Sequence, residues 1–141
     1  MRETVAYLWI STFYMEEGER NLDKGRISRD SIDQMRKGTT TLAILKLLVD
    51  ADEPMHGYRM IQELEDRSQG IFAFNEGLIY PRLHQMEHDG LLKSRWEGEP
   101  GTRRRKVYAV TERGRRQLEA EMELWETFRR GMSLLLGLEA A

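Results

Sequence analysis

The sequence predicts a mainly α protein carrying a small β-ribbon, and three observations carry that prediction. Five stretches place apolar residues at helical spacing. One stretch, Leu92–Trp96, alternates apolar with polar residues and runs through Gly98-Glu99-Pro100-Gly101 into the β-formers Val107, Tyr108 and Val110. The whole is 141 residues, about one domain's worth, with 40% apolar and 33% charged residues, so it is expected to bury a core and to be soluble.

Each element has a local reason. Glu3 to Glu17 is apolar almost all round, with Val5, Tyr7, Leu8, Trp9, Ile10, Phe13 and Tyr14, and reads as a helix buried on more than one side. Gly18 to Ile27 is polar and glycine-containing, hence a linker, and Ser31 with Gln34 has the spacing of a capping box. Thr39–Asp50 carries Leu42, Leu45, Leu48 and Val49 and stops before Pro54. His56–Ser68 repeats the pattern with Tyr58, Ile61 and Leu64.

Asn75 then caps a third helix whose inner side is Ile79, Leu83 and Met86 and whose stop signal is Gly90. Pro81 inside that helix meets the carbonyl of Gly77, so a distorted first turn is expected. In the first strand Leu92, Ser94 and Trp96 share one side, and Lys93 and Arg95 the other. Thr111 caps the last helix, with Glu112 in its first turn where the positive helix end favours an acid. Leu118, Met122, Trp125, Phe128, Met132 and Leu135 mark its apolar face.

Charge is distributed unevenly. The formal net charge is only −2. Yet Arg103 to Arg116 holds seven bases against the single acid Glu112, whereas from Gln117 onward five acids face Arg129 and Arg130. A phosphate partner responds to the field within about 8–10 Å, not to the sum. A solvated charged face is the plain alternative for such a run.

Three helices followed by a basic ribbon is the plan of a winged helix, a helix-turn-helix variant whose third helix enters the major groove while the wing follows phosphates. On that plan Asn75, Tyr80, Arg82, His84 and Gln85 can hydrogen-bond phosphates or base edges, and Arg103, Arg104, Arg105 and Lys106 form the basic wing. The apolar face of the last helix exceeds what one small domain covers. A twofold dimer would bury it and would match a palindromic site; packing against the Glu3–Glu17 helix is the alternative, and the two are compatible. The organisation is then residues 1–37 as a helical extension and linker, 38–110 as a winged-helix DNA-binding domain, and 111–138 as a dimerisation helix.

At these residues the chain resembles the PadR family of bacterial transcriptional regulators. His56-Gly57-Tyr58 is similar to the opening of the family's second helix, and Asn75 through Glu87 followed by Asp89-Gly90-Leu91 resembles its recognition helix. Arg104 through Gly114 resembles its wing return strand and the opening of its last helix. A single helix after the wing resembles the branch with a short C-terminus. The resemblance implies a homodimeric repressor that releases a pseudo-palindromic operator when a small molecule or stress signal arrives. It places Tyr80 and its neighbours Asn75 and Arg82 at the DNA, with Arg104, Arg105 and Lys106 in the wing; Thr39, His84 and Arg103 complete the candidate DNA-binding set. It also places Trp125 where some members stack a flat aromatic effector in a central cavity; Met122, Phe128 and aromatics of the first helix are expected to line that cavity, the ligand acting by a population shift between hinge angles of the last helices. Trp125 as plain dimer core is the alternative. The family commonly has a small hydroxyl residue before Ile79, where this chain has Leu78, and residues 1–35 have no counterpart in the family core.

Other chemistry finds little footing. With no cysteine there is no disulfide framework, thiolate metal site or cysteine nucleophile. Glycine-rich phosphate loops, Gly-x-Ser-x-Gly elbows and His-Glu-x-x-His motifs are missing from the sequence, so an enzyme is not expected, nor any cofactor. His84 and His88, four apart on one helix, have the spacing of a shared metal and leave a metal-responsive sensor as one alternative. The other is a winged helix used purely as a protein-interaction module. No apolar run approaches the ~20 residues of a membrane span, and the amino end lacks signal-peptide features, so a cytoplasmic location without membrane contact is expected.

Overall fold

A computed structural model describes Arg36 and residues 38–139 of the chain. The expected helix at Glu3–Glu17, the linker and the Ser31–Gln34 capping box lie outside the described residues. Within them, four helices and a three-stranded antiparallel sheet alternate in the order α1 (Thr40–Ala51), β1 (Met55–His56), α2 (Gly57–Arg67), α3 (Glu76–His88), β2 (Leu92–Glu97), β3 (Arg105–Val110) and α4 (Glu112–Leu135). The sheet order is β1-β3-β2.

The hairpin follows the alternation read from the sequence. Leu92 pairs with Val110 and the register runs to Glu97 opposite Arg105. Leu92 is buried and Ser94 half-buried on the inner side, whereas Trp96, near the tip, is exposed. The two-residue strand β1 was not expected. It adds to the free edge of β3, with Met55 opposite Tyr108 and His56 opposite Val107. His56 therefore ends a strand instead of opening a helix. It becomes the N-cap of α2, its Nδ1 accepting from the Arg59 amide at 3.2 Å.

The helices meet in one core. Ile44, Leu45 and Leu48 of α1, Met60 and Leu64 of α2, and Ile79, Leu83 and Met86 of α3 pack with Met55, Leu92, Tyr108 and Leu118. The inner side of α3 is the one its spacing predicted. The face of α2 is turned from expectation: Gly57, Met60 and Leu64 point inward, Ile61 is only partly buried and Tyr58 is 55% exposed. Both Tyr58 and Met60 fit a helical stripe, and packing against β1 and α3 selects the second. Likewise Ile44 and Leu47 of α1 are buried, while Leu42 and Val49 lie at the core's margin.

Helix α3 runs unbroken from Glu76 to His88 through Pro81. Its first turn is held by Asn75, whose side-chain oxygen accepts from the Leu78 amide at 2.9 Å. The joint between wing and last helix is built on Thr111. Its hydroxyl oxygen accepts from the Gly114 amide at 3.1 Å, and the same hydroxyl lies 2.6 Å from the Gly90 carbonyl it donates to. The Thr111 amide donates to the Leu91 carbonyl. Gly114 sits so close beneath this turn that a Cβ would stand 2.3 Å from the Leu91 carbonyl oxygen. A glycine there is a condition of close approach.

Candidate nucleic-acid interface

The residues proposed to meet DNA come from three elements, and packing sets their directions. On α3 the side chains advance by about 100° per residue, so with Ile79, Leu83 and Met86 turned inward, His84 points out from the helix centre. Tyr80 lies on one flank and Arg82 on the other. The Tyr80 ring is directed back against Gly57 at the start of α2; a Cβ on Gly57 would be 2.8 Å from its Cε1. Arg82 is half-buried in a cleft of about 280 Å³ bordered by Thr41, Gln85, Asp89, Arg113 and Glu121. The candidate set on this helix thus divides between two sides.

Asn75 is exposed but its carbonyl oxygen serves the helix cap. Thr39 is half-buried and its hydroxyl donates to the Arg36 carbonyl at 2.6 Å. Both residues are thereby part of local structure.

The wing bases also differ among themselves. Arg103, Arg104 and Arg105 are exposed, and none forms an ion pair among the described residues. Lys106 turns inward: its Nζ is 3.4 Å from Glu87 Oε1 on α3 and 5.5 Å from the centre of the Tyr108 ring. The Ser94 hydroxyl and Lys106 together hold the Glu87 carboxyl below its ordinary range. Lys106 therefore ties β3 to α3. Burial pushes the Tyr108 phenol up from its ordinary value.

Sequence reasoning missed His56. It stands between α2 and the wing, with Nε2 at 3.1 Å from Arg105 Nη1. Burial, then the charges of Arg105 and Arg59, keep its pKa below the ordinary histidine value, so the ring is held neutral. His56, Gly57, Tyr80 and Arg105 form one connected patch. His56 and Arg105 are 49 residues apart along the chain, and no local pattern links them.

On the last helix only Gly114 and Leu118 are buried. Met122, Trp125, Phe128, Met132 and Leu135 are exposed, Trp125 to 44% and Phe128 to 59%. Trp125 and Phe128 rings are tilted against one another with centroids 6.0 Å apart. No group of three or more His, Cys, Asp or Glu that could hold a metal occurs among the described residues, so His84 and His88 find no third ligand there. No helix among them is long and apolar enough to cross a membrane.

Comparison with known proteins agrees with this architecture. The profile of the transcriptional regulator PadR-like family matches residues 44–120. Transcriptional regulator YqjI of Escherichia coli strain K12 is 36% identical over 86 residues, 61% of this chain, and the match spans only 39% of that relative's length. Transcriptional regulator Rv3488 of Mycobacterium tuberculosis is 38% identical over 80 residues, 57% of this chain and 71% of that protein. Among solved structures, a PadR family regulator from Eggerthella lenta superposes with a TM-score of 0.66 at 29% identity, covering 76% of this chain and 89% of that one. Bacillus subtilis PadR, solved in complex with operator DNA, shares the fold with a TM-score of 0.54 at 21% identity over 60% of this chain and 46% of its own. With the family profile covering more than half of the sequence, on a winged-helix frame of matching order, the chain belongs to the PadR-like family of transcriptional regulators.

Proposed function

We propose that the protein is a sequence-specific DNA-binding repressor that acts as a homodimer and is released by a small ligand. The family is one of transcriptional regulators and not of enzymes. The observation that carries the DNA reading is the patch joining the exposed wing arginines, through His56 and Gly57, to Tyr80 on α3. In this reading α3 lies in the major groove with His84 toward base edges and Tyr80 at one rim. Arg82, which has no ion-pair partner among the described residues, stands toward the other rim. Arg103, Arg104 and Arg105 meet phosphates. A structural relative of the same fold was solved on operator DNA, which supports a DNA partner for this frame.

Dimerisation is supported by the apolar stripe on α4. Several large side chains repeat at helical spacing and remain uncovered, and a second copy of the stripe is the simplest complement. Trp125, Met122 and Phe128 would then face the twofold axis, where a flat aromatic effector could stack. Such a ligand would release DNA by its differential affinity for the two hinge angles.

Selection of preferred sites from a random duplex pool tests the reading. The expected result is a pseudo-palindrome whose half-sites are separated by about 34–36 Å, one helical turn. Enrichment of no sequence, with the protein folded, would overturn the sequence-specific reading.

A further inference from the structure

We propose that His56 and Arg105 together form a clamp for one backbone phosphate of duplex DNA, an assignment that rests on the DNA-binding reading above. Two donors converge on one imidazole. His56 Nδ1 accepts from the Arg59 amide at 3.2 Å, and Nε2 stands 3.1 Å from Arg105 Nη1. An amide N–H and a guanidinium can only donate. A neutral imidazole has one lone pair, so it cannot satisfy both, and an imidazolium would satisfy neither.

Keeping the helix cap leaves Nε2 carrying the proton, so two N–H donors face one another across 3.1 Å with no acceptor between them, and a small turn of the guanidinium relieves the clash by aiming both at one outside acceptor. Two donors at that separation fit a single acceptor oxygen about 2.8 Å from each, the ordinary geometry of a charge-assisted hydrogen bond. A phosphate oxygen supplies it. The ring stays neutral throughout, and no proton is exchanged.

The surroundings favour an anion. Every charged group facing His56 except Arg105 is already matched: Arg59 bridges Glu53 and Glu63 at 2.8 Å each, and Glu97 is held by Arg95 at 2.8 Å. Of these groups Arg105 alone lacks an oppositely charged partner among the described residues, which leaves one uncompensated positive charge at the patch. Position identifies the source of the anion. The clamp adjoins Gly57, whose other neighbour is the Tyr80 ring, so it lies where recognition helix and wing converge. A phosphodiester flanking the groove occupied by α3 passes there.

The test is a double-mutant cycle on the full chain, read by fluorescence anisotropy with a random-sequence duplex and with the selected operator. His56→Ser retains a preferred N-cap oxygen but cannot reach the phosphate, so its melting temperature should stay near that of wild type. We expect His56→Ser to bind both duplexes about tenfold more weakly, because a phosphate contact carries no sequence information. Arg105→Ala should do at least as much, and the double variant should be within about twofold of Arg105→Ala alone. Folded His56→Ser that binds like wild type, or losses that multiply in the double variant, would overturn the clamp while leaving the DNA reading intact. Wild type that ignores both duplexes would overturn both. If His56→Ser melts early, the ring nitrogen signals of wild type decide: an Nε2–H that becomes hydrogen-bonded on adding duplex supports the clamp, and an unchanged Nε2 signal overturns it. Millimolar inorganic phosphate alone should leave that signal unchanged; saturation by free phosphate would refute a DNA-specific clamp.

Discussion

Individual side chains in the patch do separable things. Arg103 and Arg104 are exposed and free of ion pairs among the described residues, so Arg104→Ala should weaken binding to any duplex equally. It should also reduce the slope of log K against log salt by about 0.9 for each phosphate the variant no longer neutralises. Tyr80→Ala should weaken the selected site more than random DNA. Lys106 belongs to neither group. Its ammonium bonds Glu87 across the wing–helix junction, so Lys106→Ala should barely alter the salt slope and should cost up to about 1 kcal/mol of folding stability, measured by urea denaturation. His56 adds a pH dependence of known sign. Its folded-state pKa is depressed, first by burial and then by Arg105 and Arg59. The neutral form is therefore favoured by folding, and its contribution is present above about pH 6.5 and is lost as pH falls through the lowered folded value. Urea melts at pH 7.5 and 5.5 should show a smaller loss for His56→Ser than for wild type.

Among the elements, those with strong local signals were legible in the sequence. Asn75 and Thr111 cap the helices their positions announced, and Ile79, Leu83 and Met86 face the core as their spacing requires. Gly98 through Gly101 lies in the connection between the two strands, which runs on to Arg104. What escaped was set by packing alone. Two residues of β1 have no periodicity to read, and Tyr58 and Met60 are equally apolar candidates for the inner face of α2. Strand alternation puts Lys106 on the face of Tyr108 and Val110, but nothing local shows that it meets Glu87 of α3 there. The His56–Arg105 contact exists only because β1 docks on β3. The Thr111 joint gives a prediction at this level. Thr111→Ala removes the cap of α4 and the tie to Gly90, and should cost about 1–2 kcal/mol. Gly114→Ala should cost more, since a Cβ would press on the Leu91 carbonyl oxygen, a backbone atom that cannot turn aside. Thermal unfolding of both variants, ranked against wild type, checks the order.

Within the described residues, a compact core of helices and sheet stands at the amino end of a long amphipathic helix. This head is formed by three helices and a small sheet, whereas α4 leaves it after Leu118 with its apolar side uncovered. That imbalance is what the proposed pairing of two copies would relieve. Phe128→Glu on the stripe should shift the protein toward monomer in sedimentation velocity while leaving the melting of the head largely unchanged. Loss of the dimer should also weaken the selected palindrome far more than a half-site. A Trp125→Ala dimer that still responds fully to an effector would remove Trp125 from the ligand site.

All of this requires that phosphate attraction through the wing drives association with a double helix. The salt dependence of wild-type affinity for a duplex measures that attraction directly. Six exposed wing arginines in a dimer should give a linear log–log plot with a slope of about −5. A flat plot, or no detectable complex in dilute buffer, would contradict it.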